Sequence, residues 1–88
     1  MRIIWESQYK RDYKRMMSRG KDMSLLNGVV KKLAQGKSLL QKHRDHQLRG
    51  GLSKYRECHI ESDWLLMYKK SIKSLILVRM GSHSDLFQ

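Results

Sequence analysis

The spacing of apolar residues changes along the chain, from a helical period in the first half to a strand period in the second. A short, β-branched apolar segment at residues 2–5 predicts a first strand. Apolar side chains then recur four, seven and eight residues after the first, which places them on one face of a helix. They are Tyr9, Tyr13, Met16 and Met17.

A second helix is predicted directly after the first. Ser7 can cap the first helix, and Gly20 is expected to end it. Asp22 can cap the second helix, which is expected to end at Gly36. The apolar stripe of the second helix consists of Met23, Leu26, Val30 and Leu33, widened by Leu25 and Val29. Because the link between the two helices is short, we expect an antiparallel hairpin.

The second half of the chain predicts a run of strands. A short strand is expected at 46–48, followed by strands at 55–60, 64–69 and 74–80. Neighbouring strands joined by such short turns must be antiparallel. The fold class is therefore α+β: an N-terminal strand and a helical hairpin packed on a twisted antiparallel sheet, in a single domain over residues 1–88.

Side chains alternate across a strand, so the sequence also predicts which residues share a face of the sheet. If Cys58 and Ile60 face the helices, Glu57 and His59 lie on the open face. In the last strand, strict alternation places Leu75, Leu77 and Arg79 on one face and Ile76, Val78 and Met80 on the other. Arg79 can then stand beside His59 on the open face.

The charge of the chain limits its partners. Lys and Arg number 19 against 8 Asp and Glu, which gives a net charge of +11 on 88 residues. Such an excess favours nucleic acid, an anionic membrane surface or an acidic protein. The first helix carries many of these cations, which are predicted to bind RNA phosphates as a clamp, although a solvated basic face is an equally simple interpretation. The cations concerned are Lys10, Arg11, Lys14, Arg15 and Arg19, together with Lys31 and Lys32 of the second helix.

Cysteine usage and hydropathy indicate the compartment. Cys58 is the one cysteine, so there is no internal disulfide and no cysteine-rich zinc site. A reducing compartment suits this composition. No signal-peptide pattern follows Met1, and the apolar runs are far shorter than the ~20 residues of a membrane span. We therefore expect a soluble, cytoplasmic protein without a membrane partner.

Three histidines in the second half each lie in a polar cluster. His46 follows Asp45, His59 precedes Asp63 by four residues, and His83 follows Arg79 by four. Imidazole moves protons near neutral pH. Metal-free RNA cleavage needs a base for the 2′-hydroxyl, an acid for the leaving 5′-oxygen and a cation for the phosphate. The clusters therefore indicate proton-transfer chemistry on RNA, provided that the histidines converge on one face of the sheet.

Other interpretations apply to several of these residues. A single histidine is more often structural than catalytic, and His43, which has no polar partner apart from Arg44, is expected to be a surface residue. The histidine spacings match no zinc pattern, so we expect no metal site and no cofactor. Cys58 is expected to be a buried structural thiol.

The aromatic residues leave two interpretations open. Tyr55, Trp64 and Tyr68 can stack on bases, but aromatic side chains in strands more often pack in a core. Phe87 follows a polar run and is either a late core residue or a platform for a base.

Three segments of the second half resemble the YafQ branch of the RelE-type bacterial toxins. The first is D-H-Q-L-R-G at 45–50, the second is Y-R-E-C-H-I-E-S-D-W-L-L-M-Y at 55–68, and the third is V-R-M-G-S-H-S-D-L-F at 78–87. The motifs occur in order and cover most of the second half. Members of the branch often carry an aromatic residue after the glycine turn, where this chain has Leu52.

The resemblance implies a fold like that of the microbial ribonucleases and a ribosome-dependent endoribonuclease that cleaves mRNA. It also implies an acidic antitoxin that binds the protein and silences it. His83 is then the general acid, His46 or His59 the base, Asp63 the partner of an imidazole and Arg79 the cation for the scissile phosphate. The residues predicted to contact RNA are Phe87, Lys10, Arg11, Lys14, Arg15, Arg56 and Trp64.

Two further function classes fit the charge. The first is a basic protein that binds RNA or the ribosome without cleaving. The second is a co-repressor that binds operator DNA only together with its antitoxin, which is compatible with nuclease activity. Only the nuclease hypothesis explains why His46, His59 and His83 each have a polar neighbour.

Overall fold

The structure is a computed structural model that describes residues 1–87. A strand and a helical hairpin precede a meander of strands, and a short helix ends the described chain. The elements are β1 Arg2–Trp5, α1 Ser7–Ser18, α2 Met23–Ala34, β2 His46–Gln47, β3 Arg56–Glu61, β4 Trp64–Lys70, β5 Ser74–Gly81 and α3 His83–Phe87. Short 3₁₀ turns lie at Gln41–His43 and Gly50–Leu52.

The five strands form one sheet in the order β1-β5-β4-β3-β2. Strands β2 to β5 pair antiparallel, as the short turns predict. The N-terminal strand β1 instead pairs parallel with β5, so the sheet is mixed rather than wholly antiparallel. Parallel pairing requires a long connection, which the helical hairpin and the meander between these strands supply. The α+β class is confirmed.

The helix boundaries follow local residue chemistry. Asp22 caps α2, because its side chain accepts a hydrogen bond from the Ser24 N–H. Gly20 and Gly36 follow the two helices with φ of 78° and 73°, a conformation that glycine adopts without strain. The prediction that Ser7 caps α1 is wrong: Ser7 is the first helical residue, and Glu6 holds the cap position without a side-chain hydrogen bond.

The hairpin packs on one face of the sheet and buries a single core. Tyr9 and Met16 of α1 are buried there, but Met17 is 56% exposed. Asp12, which lies three residues after Tyr9 and four before Met16, is buried on the same side of the helix. The other fully buried apolar side chains of this core are Leu26, Leu33, Cys58, Trp64, Leu66, Tyr68, Leu75, Leu77 and Met80.

A bulge changes the face that β5 presents. Tyr68 pairs with Leu77 and Met67 with Arg79, so Val78 is an extra residue in β5. Leu75 and Leu77 before the bulge and Met80 after it all lie in the core. The prediction of strict alternation through 74–80 is therefore wrong for Leu75 and Leu77, since a bulge shifts the period by one residue.

Candidate active site

The pairing of the strands places the predicted site residues on the open face of the sheet, away from the hairpin. His46 pairs with Glu57, Glu57 with Met67, and Met67 with Arg79. Paired residues point to the same face, so these four form one row across the sheet. Because strands lie ~4.8 Å apart, the row is about 14 Å long from His46 to Arg79.

A second row runs beside the first, two residues further along β3. It consists of His59, Leu65 and Gly81, which pair in that order. The ring of His83 follows at the end of β5, and the centroids of the His59 and His83 rings are 6.0 Å apart. The structure therefore brings His59, His83 and Arg79 to one side of the sheet and places His46 at the edge of the same face.

Asp63 holds His83 rather than His59. It lies in the turn between β3 and β4, and its Oδ1 is 2.8 Å from the His83 Nδ1 and accepts the His83 backbone N–H at 3.0 Å. The backbone N–H and then the ring of His83 lower the pKa of Asp63 below its ordinary value. An ionised Asp63 accepts a hydrogen bond from the Nδ1–H, which leaves Nε2 as the ring nitrogen that faces outwards.

His46 is held by a different arrangement. Its Nδ1 is 2.6 Å from the carbonyl oxygen of Arg44, and its Nε2 is 3.7 Å from Oε1 of Glu57. Glu57 is only 5% exposed, and its other oxygen has no hydrogen-bond partner among the described residues. The sequence predicts that Glu57 lies with His59 on the open face, but it was not predicted as a site residue.

Arg79 reaches past the edge of the sheet to α1. The N–H groups at Nε and Nη2 of Arg79 donate to the two carboxylate oxygens of Asp12 at 3.0 and 3.3 Å. The strand β1 ends at Trp5 opposite Leu77, and so none of the described strands lies beside β5 at Arg79 on that side. The prediction that Arg79 stands on the open face agrees with its register, while the role of Asp12 was missed.

A capping box fixes the helix that carries His83. The Asp85 Oδ2 accepts from the Ser82 N–H at 2.9 Å, and the Asp85 N–H donates to the Ser82 hydroxyl at 3.1 Å. Arg19 donates to both oxygens of Asp85 at 2.7 and 3.1 Å. The Arg19 guanidinium, and then the Ser82 groups, lower the pKa of Asp85. The S-x-x-D spacing at 82–85 is a signal that could have predicted this cap.

Gly81 permits the close approach of this cap. Its φ is +153°, a conformation that residues with side chains rarely adopt. A Cβ at this position would lie 2.7 Å from the Cβ of Asp85. The turn that places His83 therefore depends on the absence of a side chain at Gly81.

Three of the side chains predicted to bind RNA have other partners or positions. Trp64 is fully buried, so the prediction that it contacts a base is wrong, and the aromatic ring packs in the core instead. Arg56 lies on the helix side of the sheet with its Nε near Asp45 and Tyr68, so it does not lie on the open face that carries the histidines. Arg15 donates to Asp12 at 3.1 Å.

The remaining predicted RNA contacts are accessible. Lys10, Arg11 and Lys14 are exposed on α1. Phe87 is 45% exposed, which excludes the alternative that it is a core residue. His43, which was expected to be a surface residue, is half-buried, and its Nδ1 lies 2.7 Å from the carbonyl oxygen of His59.

Residues 1–87 contain no group of three or more His, Cys, Asp or Glu side chains arranged to hold a metal ion. No helix in this range is long and apolar enough to cross a bilayer.

Comparisons with known proteins identify relatives over the whole chain. A family model for the bacterial toxin YafQ of a type II toxin–antitoxin system matches residues 1–88. The mRNA interferase toxin YafQ of Escherichia coli strain K12 is 37% identical over 86 residues, which are 97% of this chain and 94% of that protein.

Solved structures agree with this match. The toxin chain of the E. coli DinJ–YafQ toxin–antitoxin complex gives a TM-score of 0.91 at 37% identity and covers 98% of this chain and 96% of its own length. A metal-bound toxin from Helicobacter pylori gives a TM-score of 0.92 at 42% identity over 99% of both chains.

Proposed function

Because the chain belongs to the YafQ family of toxins of type II toxin–antitoxin systems, we propose that it is an mRNA interferase that cleaves mRNA in the A site of the ribosome. The observation that carries the proposal is the Asp63–His83 pair beside His59, with Arg79 on the same face of the sheet. These groups supply the proton transfers and the positive charge that RNA cleavage requires.

The proposed proton transfers and bond changes need no chemical group besides the RNA and these side chains. A base removes the proton from the 2′-hydroxyl, the 2′-oxygen attacks the phosphorus, and the bond to the 5′-oxygen breaks. The acid gives a proton to that 5′-oxygen. The products are a 2′,3′-cyclic phosphate and a 5′-hydroxyl, and the proton taken by the base balances the proton given by the acid.

His83 is the proposed acid. Asp63 accepts from its Nδ1, holds the ring in one orientation and stabilises the protonated form through its negative charge. Nε2 is then the nitrogen that donates to the leaving oxygen. His59 and His46 are the two candidates for the base: His59 has its ring 6.0 Å from that of His83, and His46 has its Nε2 near Glu57.

Substrate binding is proposed to use the side chains around this face. The Arg79 guanidinium would bind a non-bridging phosphate oxygen, and Phe87, half-exposed at the end of α3, would position a base of the codon. Lys10, Arg11 and Lys14 would contact phosphates without base preference.

Metal independence is part of the proposal. The acid, base and cation are all protein groups, so cleavage should continue when a chelator removes divalent ions, provided that the ribosomes stay intact. This point needs its own test, since one relative is a metal-bound toxin. Loss of cleavage in the chelator, restored by one specific metal ion, would contradict it.

The partners follow from the charge and the family. A net charge of +11 suits an acidic antitoxin that covers the basic surface, and it suits the ribosome with its mRNA. Operator DNA would be bound only by the toxin–antitoxin complex. We place the protein in the cytoplasm, because ribosomes and the proposed substrate are there.

The test is cleavage of a defined mRNA by purified protein, with and without ribosomes, followed by mapping of the fragment ends. We expect site-specific cleavage only with ribosomes. His83→Gln should abolish it, whereas His43→Asn, which keeps a donor near the His59 carbonyl, should cleave like the parent. If the parent and His83→Gln bind ribosomes equally well and the parent does not cleave the mRNA, the non-catalytic alternative is favoured.

A further inference from the structure

One line of charged side chains runs along α1 and its C-cap residue, and it consists of Asp12, Arg15 and Arg19. These residues follow one another at intervals of three and four, so their side chains lie in one line along the helix. Asp12 binds Arg79 of β5, and Arg19 binds Asp85 of α3. One face of α1 therefore contacts the two segments that carry the proposed phosphate cation and the proposed acid.

Asp12 is the most constrained residue of this face. Its side chain is fully buried, although it is a carboxylate, and buried carboxylates require charged or hydrogen-bonding partners. It accepts from the side chains of Arg79, Arg15 and Gln8 and from the Met80 backbone N–H. The distances from its oxygens to these four donors are all between 3.0 and 3.3 Å.

The way in which Asp12 holds Arg79 leaves one edge of the guanidinium without a hydrogen-bond partner among residues 1–87. The Asp12 carboxylate accepts hydrogen bonds from the Nε–H and from one N–H of Nη2. Nη1 and the second N–H of Nη2 remain, and these parallel groups are an edge that binds two oxygens of a phosphate. The Arg79 side chain is 28% exposed, so this edge can reach a ligand.

The charges near Asp12 leave Arg79 attractive to an anion. One carboxylate is shared between the guanidinium groups of Arg79 and Arg15. The three groups together carry a net charge of +1, so Asp12 fixes Arg79 without cancelling the positive potential of the pair.

We propose that Asp12 is a positioning residue for the nuclease reaction, acting through its bidentate contact with Arg79, which it holds with one guanidinium edge turned to the scissile phosphate. The proposal rests on the proposed function, because it assumes that Arg79 binds this phosphate. A fixed cation needs no reorganisation when charge develops on the phosphate, so the contact should act on kcat more than on KM.

A double-mutant cycle tests this mechanism in ribosome-dependent cleavage. Asp12→Asn keeps the size of the side chain and removes the charge, and it should lower kcat about 10- to 100-fold with KM changed less than about threefold. Arg79→Gln alone should lower kcat at least as much. In the Arg79→Gln background, Asp12→Asn should have little further effect, because its partner is already absent. Asp22→Asn, an exposed Asp-to-Asn change at a helix cap, is the matched control and should cleave like the parent.

Two outcomes would overturn the proposal. The first is a parent-like kcat for folded Asp12→Asn. The second is a loss of kcat by the same factor with and without Arg79, which would show that Asp12 acts on the fold and not through Arg79. Circular dichroism and thermal unfolding of each variant establish that it is folded.

A measurement on the parent protein covers the case in which Asp12→Asn does not fold. In the ¹⁵N–¹H spectrum of the free protein, the Arg79 Nε–H should exchange slowly with water, because it donates to a buried carboxylate. Its signal is assigned by its absence in Arg79→Gln. Fast exchange in the folded parent would overturn the proposal. This result does not depend on cleavage, so it separates failure of the Asp12 proposal from failure of the proposed nuclease function.

Discussion

At the scale of single residues, the proposed acid–base chemistry depends on the pair of Asp63 and His83. Both the ring Nδ1 and the backbone N–H of His83 contact one oxygen of Asp63, so the position and the tautomer of the imidazole are fixed together. The lowered pKa of Asp63 keeps its carboxylate ionised near neutral pH. Asp63 is therefore a permanent acceptor for His83.

Asp63→Asn should lower kcat about 10- to 100-fold, since an amide can still accept the backbone N–H but no longer stabilises a protonated ring. The measurement is single-turnover cleavage on purified ribosomes near neutral pH. Ser62→Ala, a change at the neighbouring turn residue, is the control and should cleave like the parent. Unchanged kcat in folded Asp63→Asn would remove Asp63 from the site.

Cys58 provides a test of the core at the same scale. It is fully buried on the helix side of β3, and burial raises the pKa of its thiol to about 12. The thiolate is the reactive form, so the native protein should resist alkylation by iodoacetamide at pH 8 and react fully in urea. Mass spectrometry detects the adduct. Rapid alkylation of the folded protein would contradict the assigned faces of β3.

At the scale of elements, the cap of α3 should give the protein a defined pH dependence. Arg19, followed by Ser82, holds the pKa of Asp85 below that of an unfolded aspartate. A group with a lowered pKa in the folded state contributes stability above its unfolded pKa of about 4, and this contribution is lost as the pH falls through the folded pKa.

Asp85→Asn should therefore be less stable than the parent at pH 7, and the difference should shrink as the pH falls below about 4. Urea unfolding at several pH values measures it. Lys73→Gln, in the turn before β5, is a control for a change of one charge. A difference that stays constant from pH 7 to pH 2 would show that the ionised Asp85 does not stabilise the fold.

Replacement of two glycines by alanine should change the stability of the protein in opposite directions. Gly28 lies inside α2 with open space where a Cβ would be, so Gly28→Ala should raise the free energy of unfolding by about 0.5–1 kcal/mol. Gly81→Ala places a Cβ against Asp85 and should lower both stability and cleavage, because it displaces the turn before His83. Chemical denaturation and the cleavage assay measure the two effects. Equal effects of the two substitutions would contradict the described turn.

Local patterns predicted most of the elements but not the details of the site. Helix periodicity, the Asp22 cap and the turn residues are local signals, and the structure has these features where they were expected. The bulge at Val78 is an extra residue that a period of two does not reveal. A charged residue such as Asp12 is expected at the surface, and only its contacts with Arg79 and Arg15 show why it is buried.

At the scale of the whole molecule, the open face of the sheet and the net charge of +11 act together. The parallel pairing of β1 with β5 joins the two ends of the chain, which brings α1 next to Arg79 and α3. Pairing between such distant segments leaves no local signal in a single sequence. Alternation predicted that Arg79 stands beside His59 on the open face, whereas the approach of His83 to His59 and the helix that contacts Arg79 emerged only from the structure.

The most direct test of acid–base cleavage is the single-turnover rate on ribosomes measured between about pH 5 and pH 9. We predict a bell-shaped profile for the parent and for His43→Asn, since one imidazole must be neutral and another protonated. His83→Gln should lose most of the rate, and the decline of the rate at high pH should disappear. A flat profile for the parent, or the same bell in a still-active His83→Gln, would contradict the account.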